Sequence, residues 1–403
     1  MENKNTVIDA KIGNLNELTK VLSVKEQAQE QLLVVMKALG IGKIVRNLKF
    51  EKAQGYTLTS LFISLLIMRL WGKTIASATS NHFHGLCTVS KNTLYRALLN
   101  ARIDWRMLLT KITLRFHAIL REHQVNTDEH DTCAILDDTT FQKSGIRIEG
   151  VSKVFDHVTH SFIYGMKCLT LALSDGKSCY PIDFSLHREK GKKKDYGLTL
   201  KQRKEQFKEK RNAKNPDYAR KAECDESKLE MAKRMLCHAV EHGINFKYVL
   251  ADSWFTCESL IQAVRELCGG SVHYIGLTKM NPKLRYQTRK SKHPQNIHEL
   301  IVRYERTASC YCRKYKCKYI QLHAKLGEQP IRIFIIKYGR STHWKVLLTT
   351  DTSMNFVRAF ELYERRWGIE VIFKECRGYL GLGKCQSRSY NAQIADTTLC
   401  FMM

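Results

Sequence analysis

Apolar and polar positions follow two different periods along the chain. Up to about residue 125 the apolar positions recur at three and four, in AQEQLLVVMKALG, TLTSLFISLLIMRLW, VSKNTLYRALLN and WRMLLTKITLRFHAILREH. That is the helical period, and Gly40, Gly42 and the SATSNHFHGLC stretch separate the segments. In the third helix Ser90 is placed to cap, Leu94, Leu98 and Leu99 to pack, and Lys91, Asn92, Tyr95 and Arg96 to face outward. The layout fits a DNA recognition helix and equally an ordinary amphipathic one.

At Cys133 the period changes. CAILDDTT predicts a buried strand with Asp137 and Asp138 at its carboxyl end, and YGMKCLTLALS and SCYPIDFSL around Asp175-Gly176 predict a hairpin. Residues 187–225 are dense in Lys and Arg with poor helical spacing, which predicts a solvated insertion, followed by the helix LEMAKRMLCHAV. In FKYVLADSWFTCESLIQAVREL a second strand ends at Ala251, Asp252 follows it, and a helix runs from about Cys257. Residues 272–350 read as strands whose basic residues interleave with aromatics, as in a sheet facing nucleic acid. There Trp344 is a candidate for stacking on an unpaired base, or a plain sheet-face residue.

The stretch YERRWGIEVIFKECR predicts one helix. On it Tyr363, Arg366, Glu370, Lys374 and Arg377 share a face, open between the packed flanks Phe360 and Trp367 on one side and Ile369, Ile372 and Cys376 on the other. One carboxylate among three cations and a phenol suits a metal-binding acid beside a phosphate backbone. A surface helix with ordinary pairs such as Glu370 with Lys374 shows the same spacing.

Composition narrows the class. The 403 residues carry a net charge of +27 and 44% hydrophobic positions, so the chain is globular, with two or three domains, and a polyanion is its natural partner. The opening MENKNTVIDA is polar, unlike an export signal, and Leu58 to Trp71 is too short to span a bilayer comfortably. The 14 cysteines then read as reduced core residues; Cys310, Cys312 and Cys317 lack the spacing of a zinc knuckle. Two acids at strand ends plus Glu370 on a packed helix are placed to converge on a pair of magnesium ions.

The order LDDTT, VLADSWF and Tyr363-x2-Arg366-x3-Glu370-x6-Arg377 resembles bacterial insertion-sequence family 4 transposases of the YREK group, with Arg377 where that signature has Lys. An arginine keeps the charge but presents a planar fork in place of a compact ammonium. The resemblance implies an α/β, ribonuclease-H-like mixed sheet with helices, a β-rich insertion before the catalytic Glu, and an N-terminal helical domain. It divides the chain into a helical DNA-binding domain (1–125), the first part of the catalytic domain with its basic insertion (126–271), the β-rich insertion (272–350) and the segment carrying the Glu helix (351–403). It implies a DDE triad of Asp137, Asp252 and Glu370 holding two Mg2+ ions, with Mn2+ as substitute and Asp138 as the alternative first Asp. Tyr363, Arg366, Lys374 and Arg377 would bind DNA. The implied partners are double-stranded DNA, both transposon ends and target, and a second copy of the chain in a synaptic dimer, in the bacterial cytoplasm at the nucleoid. A nuclease that cuts without joining, and a repressor-like DNA-binding remnant, are the alternatives.

The terminal DTTLCFMM is apolar with no stop signal after it. It predicts a helix cut off near its start, a truncated chain of weakened activity, and exposed Leu399, Phe401 and Met402.

Overall fold

A computed structural model of the chain describes residues 15–48, 55–78, 89–123, 131–190, 196–339 and 341–403, with backbone alone over 15–26. The amino-terminal part is helical: α1 (Leu15–Ala38), α2 (Ile41–Arg46), α3 (Leu58–Leu70), α4 (Ile75–Ala78), α5 (Lys91–Leu98) and α6 (Trp105–Glu122). Side chains of Thr57, Ser90 and Asp104 accept from the first-turn amides of α3, α5 and α6, which fixes where each helix starts. Leu94 and Leu98 of α5 are buried, but Leu99 is 40% exposed because it caps the helix beyond its last packed turn. Most of the SATSNHFHGLC stretch lies outside the described residues.

The strands β1 (Cys133–Gln142), β2 (Ser152–Asp156), β3 (Ser161–Ser174) and β4 (Cys179–His187) follow, each antiparallel to its neighbour along β3. The β3–β4 turn is at Asp175-Gly176, where Gly176 takes a φ of 93° that a side chain would resist. After α7 (Leu200–Glu205), α8 (Pro216–Glu223) and α9 (Lys228–Glu241), β5 (Tyr248–Ala251) adds to β1 in parallel. Past α10 (Glu258–Glu266), β6 (His273–Thr278) adds to β5, again in parallel. The order β4-β3-β1-β5-β6, three antiparallel strands then two parallel ones, is the ribonuclease-H-like core.

The strand-rich region continues this sheet. β7 (Gln287–Thr288), helix α11 (Ile297–Tyr304), β8 (Ser309–Cys312), β9 (Cys317–Leu326), β10 (Gln329–Tyr338) and β11 (Trp344–Thr349) form an antiparallel extension. It joins the core through β11 on β6, so among the described residues one sheet of 11 strands runs through both regions. Trp344 is half-buried, with the Lys337 ammonium 5.0 Å from its ring centre.

Both faces of the sheet are covered, which is why its central strands read as unbroken apolar runs. Cys133 and Ile135 of β1 join a core with the amino-terminal helices, while Ala134 and Leu136 join a second core with α9, α10 and α11. The chain closes with α12 (Phe356–Glu364), α13 (Trp367–Tyr379) and α14 (Tyr390–Phe401), all on the first of these faces.

Two expectations are corrected. The basic insertion is not simply a solvated segment: Asp217, Arg220 and Glu223 of α8 are buried. Arg211 reaches Glu149 at 2.5 Å, and Arg106 of α6 reaches Asp183 at 2.8 Å and Glu223 at 2.5 Å. Glu149, Asp183 and Arg106 lie outside the run, so spacing within it cannot reveal these pairs. The terminal helix is also packed: Leu399 is 1% and Phe401 7% exposed, and only Met402 of the three is half-buried. Phe401 meets Phe184 edge-on at 5.5 Å, and Arg69 of α3 pairs with Asp396 and donates to Leu380 O at 2.5 Å. α14 therefore fills the space between the amino-terminal helices and the sheet.

Candidate active site

The site is built where two parallel strands stop pairing. β1 and β5 run in register from Cys133 beside Tyr248 to Leu136 beside Ala251. The next residues on the two strands are Asp137 and Asp252. β5 ends there, but β1 continues to Gln142 because β3 keeps pairing with it. Asp137 and Asp138 thus sit within β1 rather than at its end, at the point where one neighbour leaves.

Strand alternation separates the two adjacent acids. Asp137 shares the face of Cys133 and Ile135, on which α13 packs, while Asp138 shares that of Ala134 and Leu136, on which α9 packs. Asp138 is engaged there: the Lys228 ammonium, first in α9, lies 2.5 Å from its Oδ2. The Asp138 amide meanwhile donates to Asp137 Oδ1 at 2.8 Å.

The expected single helix is two. α12 ends at Glu364 and α13 begins at Trp367, with tighter three-residue hydrogen bonds from the Arg366 amide to Tyr363 O at 3.0 Å and from the Ile369 amide to Arg366 O at 3.2 Å. Arg366 stands at this junction and turns inward, donating to Asp137 Oδ2 at 2.8 Å and to Glu370 Oε1 at 2.5 Å. Arg366 accordingly faces the acids rather than open solvent. Trp367, expected to pack, is 63% exposed instead, since the junction rotates it outward. Gly368 lets α13 approach β4: a Cβ there would lie 2.8 Å from Cys179 Sγ.

The remaining stripe residues divide. Arg377 donates to Thr139 Oγ1 at 2.5 Å and to Thr140 O at 2.8 Å, and Lys374 is exposed. The Tyr363 hydroxyl is buried, and no atom of the described residues completes a well-formed hydrogen bond to it. Burial pushes that phenol up to about 12. Beside it lies a cavity of about 480 Å3 lined by Leu277, Phe360, Arg366 and Trp367 among others.

Burial also pushes the Asp137 carboxyl up to about 7, against the favourable Arg366 charge and the Asp138 amide, with Asp252 and Asp138 adding to the rise. An acid so placed gains from any further cation brought to it. Asp137, Asp252 and Glu370 offer hard oxygen donors of the kind Mg2+ and Mn2+ take. Among the described residues no three acids, histidines or cysteines are grouped closely enough to hold an ion as they stand. The Arg366 guanidinium lies between Asp137 and Glu370 and supplies positive charge there. The donor set fits a hard divalent cation once that arginine moves.

Two neighbours of the acids escape a reading of the sequence. Trp254 lies in the quoted ADSWF stretch, and its position two residues after Asp252 is the only hint. Nothing near Lys228 in sequence points to Asp138.

A model of the DDE superfamily endonucleases matches residues 62–297, more than half of the chain, and the chain belongs to that superfamily. A model of the transposase DDE domain matches residues 219–403. No curated protein matches the chain. No helix among the described residues is long and apolar enough to cross a membrane.

Proposed function

We propose that the chain is a DDE transposase of a bacterial insertion sequence, of the family 4 type, working in the bacterial cytoplasm at the nucleoid. It binds the terminal inverted repeats of its element, hydrolyses a phosphodiester at each end, and joins the freed 3′-hydroxyl to target DNA. The observation that carries this reading is the placement of Asp137 beside Asp252 by the β1–β5 register, on the face to which α13 brings Glu370. The domain division drawn from the sequence goes with it, helical DNA-binding part first and Glu helix last.

Asp137, Asp252 and Glu370 are the residues to hold two Mg2+ ions, or Mn2+. Metal held there would supply Lewis-acid activation of the attacking oxygen and charge neutralisation at the leaving oxygen. Lys374, exposed on α13, is positioned for a DNA phosphate, and Arg366 and Arg377 become available when they leave their protein partners. Tyr363 would offer its hydroxyl to the same strand. A second copy of the chain would hold the other end.

The test is incubation of the chain with its own element's end DNA and Mn2+, with the cut mapped and a pre-cleaved end supplied for joining. Cutting at the end and joining of the 3′-hydroxyl support the reading. Cutting without joining leaves a nuclease, and binding without nicking leaves a repressor-like remnant.

A further inference from the structure

The acids have a second flank, formed on the α9 face of the sheet. There Asp138 holds the Lys228 ammonium at 2.5 Å, and the same ammonium lies 4.0 Å from the centre of the Trp254 ring. Trp254 is fixed from two further directions. Its amide donates to Asp252 Oδ1 at 2.9 Å, and its ring meets the buried Phe255 edge-on at 4.8 Å. An indole held by a carboxylate-anchored lysine, by its own backbone and by a buried phenylalanine has little freedom left to lose. Yet it is 43% exposed.

Core packing does not account for a braced, half-exposed tryptophan, two residues from an acid at the reaction centre. It suits contact with a flat aromatic face. In DNA held at Asp137 and Asp252, the reaction itself creates such a face. A base pair inside a duplex is stacked on both sides, but one at a cut end has lost a neighbour.

We propose that Trp254, braced by Lys228 on Asp138, stacks on the terminal base of a cut DNA end and holds that end at the acids. The inference rests on the DNA-cutting function proposed above and adds to it a residue that retains the end once both strands there are cut. Trp254 is the contact; Lys228 and Asp138 are positioning residues. Because Asp138 already neutralises Lys228, the lysine acts through the indole and contributes little to phosphate binding.

The experiment uses the full chain in EDTA, so that nothing is cut. Two duplexes of one sequence are compared, one with open blunt ends and one with both ends closed by hexaethylene glycol linkers. Stacking on one base predicts about a tenfold preference of the unmodified chain for the open duplex. Trp254→Ala should bring that preference close to one while leaving affinity for the closed duplex within about twofold. Trp254→Phe should retain most of it. Lys228→Gln should reduce the preference without changing the slope of affinity against salt. A general folding defect would lower binding of both duplexes together, so the ratio isolates the stacking role. Equal preference in the unmodified chain and in Trp254→Ala overturns the proposal while leaving the transposase reading intact. Failure of the unmodified chain to bind either duplex overturns both.

Discussion

The Arg366 guanidinium donates to Asp137 Oδ2 at 2.8 Å, across the gap between α13 and β1, while its other terminal nitrogen reaches Glu370 at 2.5 Å. One arginine thus joins two acids that the sequence separates by more than two hundred positions. Replacing it separates charge balance from metal binding. Arg366→Gln should lower stability in EDTA by about 2 kcal/mol, since it removes charged hydrogen bonds and leaves two carboxylates facing each other. Mn2+ should then raise the melting temperature of Arg366→Gln more than that of the unmodified chain. An equal or smaller rise would show that the arginine does not compete with the cation.

Asp137 and Asp138 should behave differently. Asp137→Ala, like Asp252→Ala and Glu370→Ala, should abolish nicking of end DNA in Mn2+ while end binding stays within a few-fold. Asp138→Ala should retain measurable nicking, because its carboxylate is turned away and held by Lys228. A nicking assay on both single variants decides the matter, and a fully active Asp137→Ala beside an inert Asp138→Ala would reverse the assignment.

Gly368 sets the depth of α13. A methyl group there meets Cys179 Sγ at 2.8 Å and Cys179 Cβ at 3.0 Å, so Gly368→Ala must push the helix off β4. Overpacking of this kind costs about 1–3 kcal/mol. Denaturant unfolding should show that loss, and the displacement of Glu370 should lower nicking beyond what the stability change explains. Unchanged stability would mean that the helix has room the structure does not show.

Acid should destabilise the fold partly through His187. Burial, with Lys228 adding to it, lowers this imidazole from 6.5 to about 4, and its Nε2 lies 2.7 Å from Ser185 Oγ. The folded state resists protonation, so between pH 6.5 and 4 the unfolded chain binds the extra proton. Stability is therefore full above pH 6.5 and falls as pH drops towards 4, by up to about 3 kcal/mol from this group. His187→Gln should flatten that part of the stability curve, measured by urea unfolding at a series of pH values. A curve as steep as that of the unmodified chain would assign the loss to other groups.

The sequence by itself determined most of the elements and the class of fold, though not the break between α12 and α13 or the helices of the basic run. Apolar spacing in FISLLIMRL, the Ser90 cap, the unbroken CAIL and KYVLA runs and the Asp175-Gly176 turn are local signals, each set by neighbours a few residues away. Helices, strands and the hairpin form where those signals stand. The order of strand, hairpin and second strand then admits the parallel addition of β5 to β1 that a ribonuclease-H-like sheet requires.

Tertiary structure alone decided which side chains meet. Whether Asp137 or Asp138 faces α13 depends on which face of β1 that helix covers, and a change of one residue in register would exchange them. The inward turn of Arg366 depends on the break between α12 and α13, which helical spacing across Glu364 to Trp367 conceals. The basic run around Arg211 and Arg220 looks solvated because Glu149, which pairs with Arg211, and Phe184, whose carbonyl accepts from Arg220, lie outside it. DTTLCFMM looks like an unfinished helix because the surfaces that bury Leu399 and Phe401 lie on β4 and the amino-terminal helices. Local spacing encodes the backbone, whereas long-range pairing of charge and burial is fixed only when the sheet and its covering helices close together.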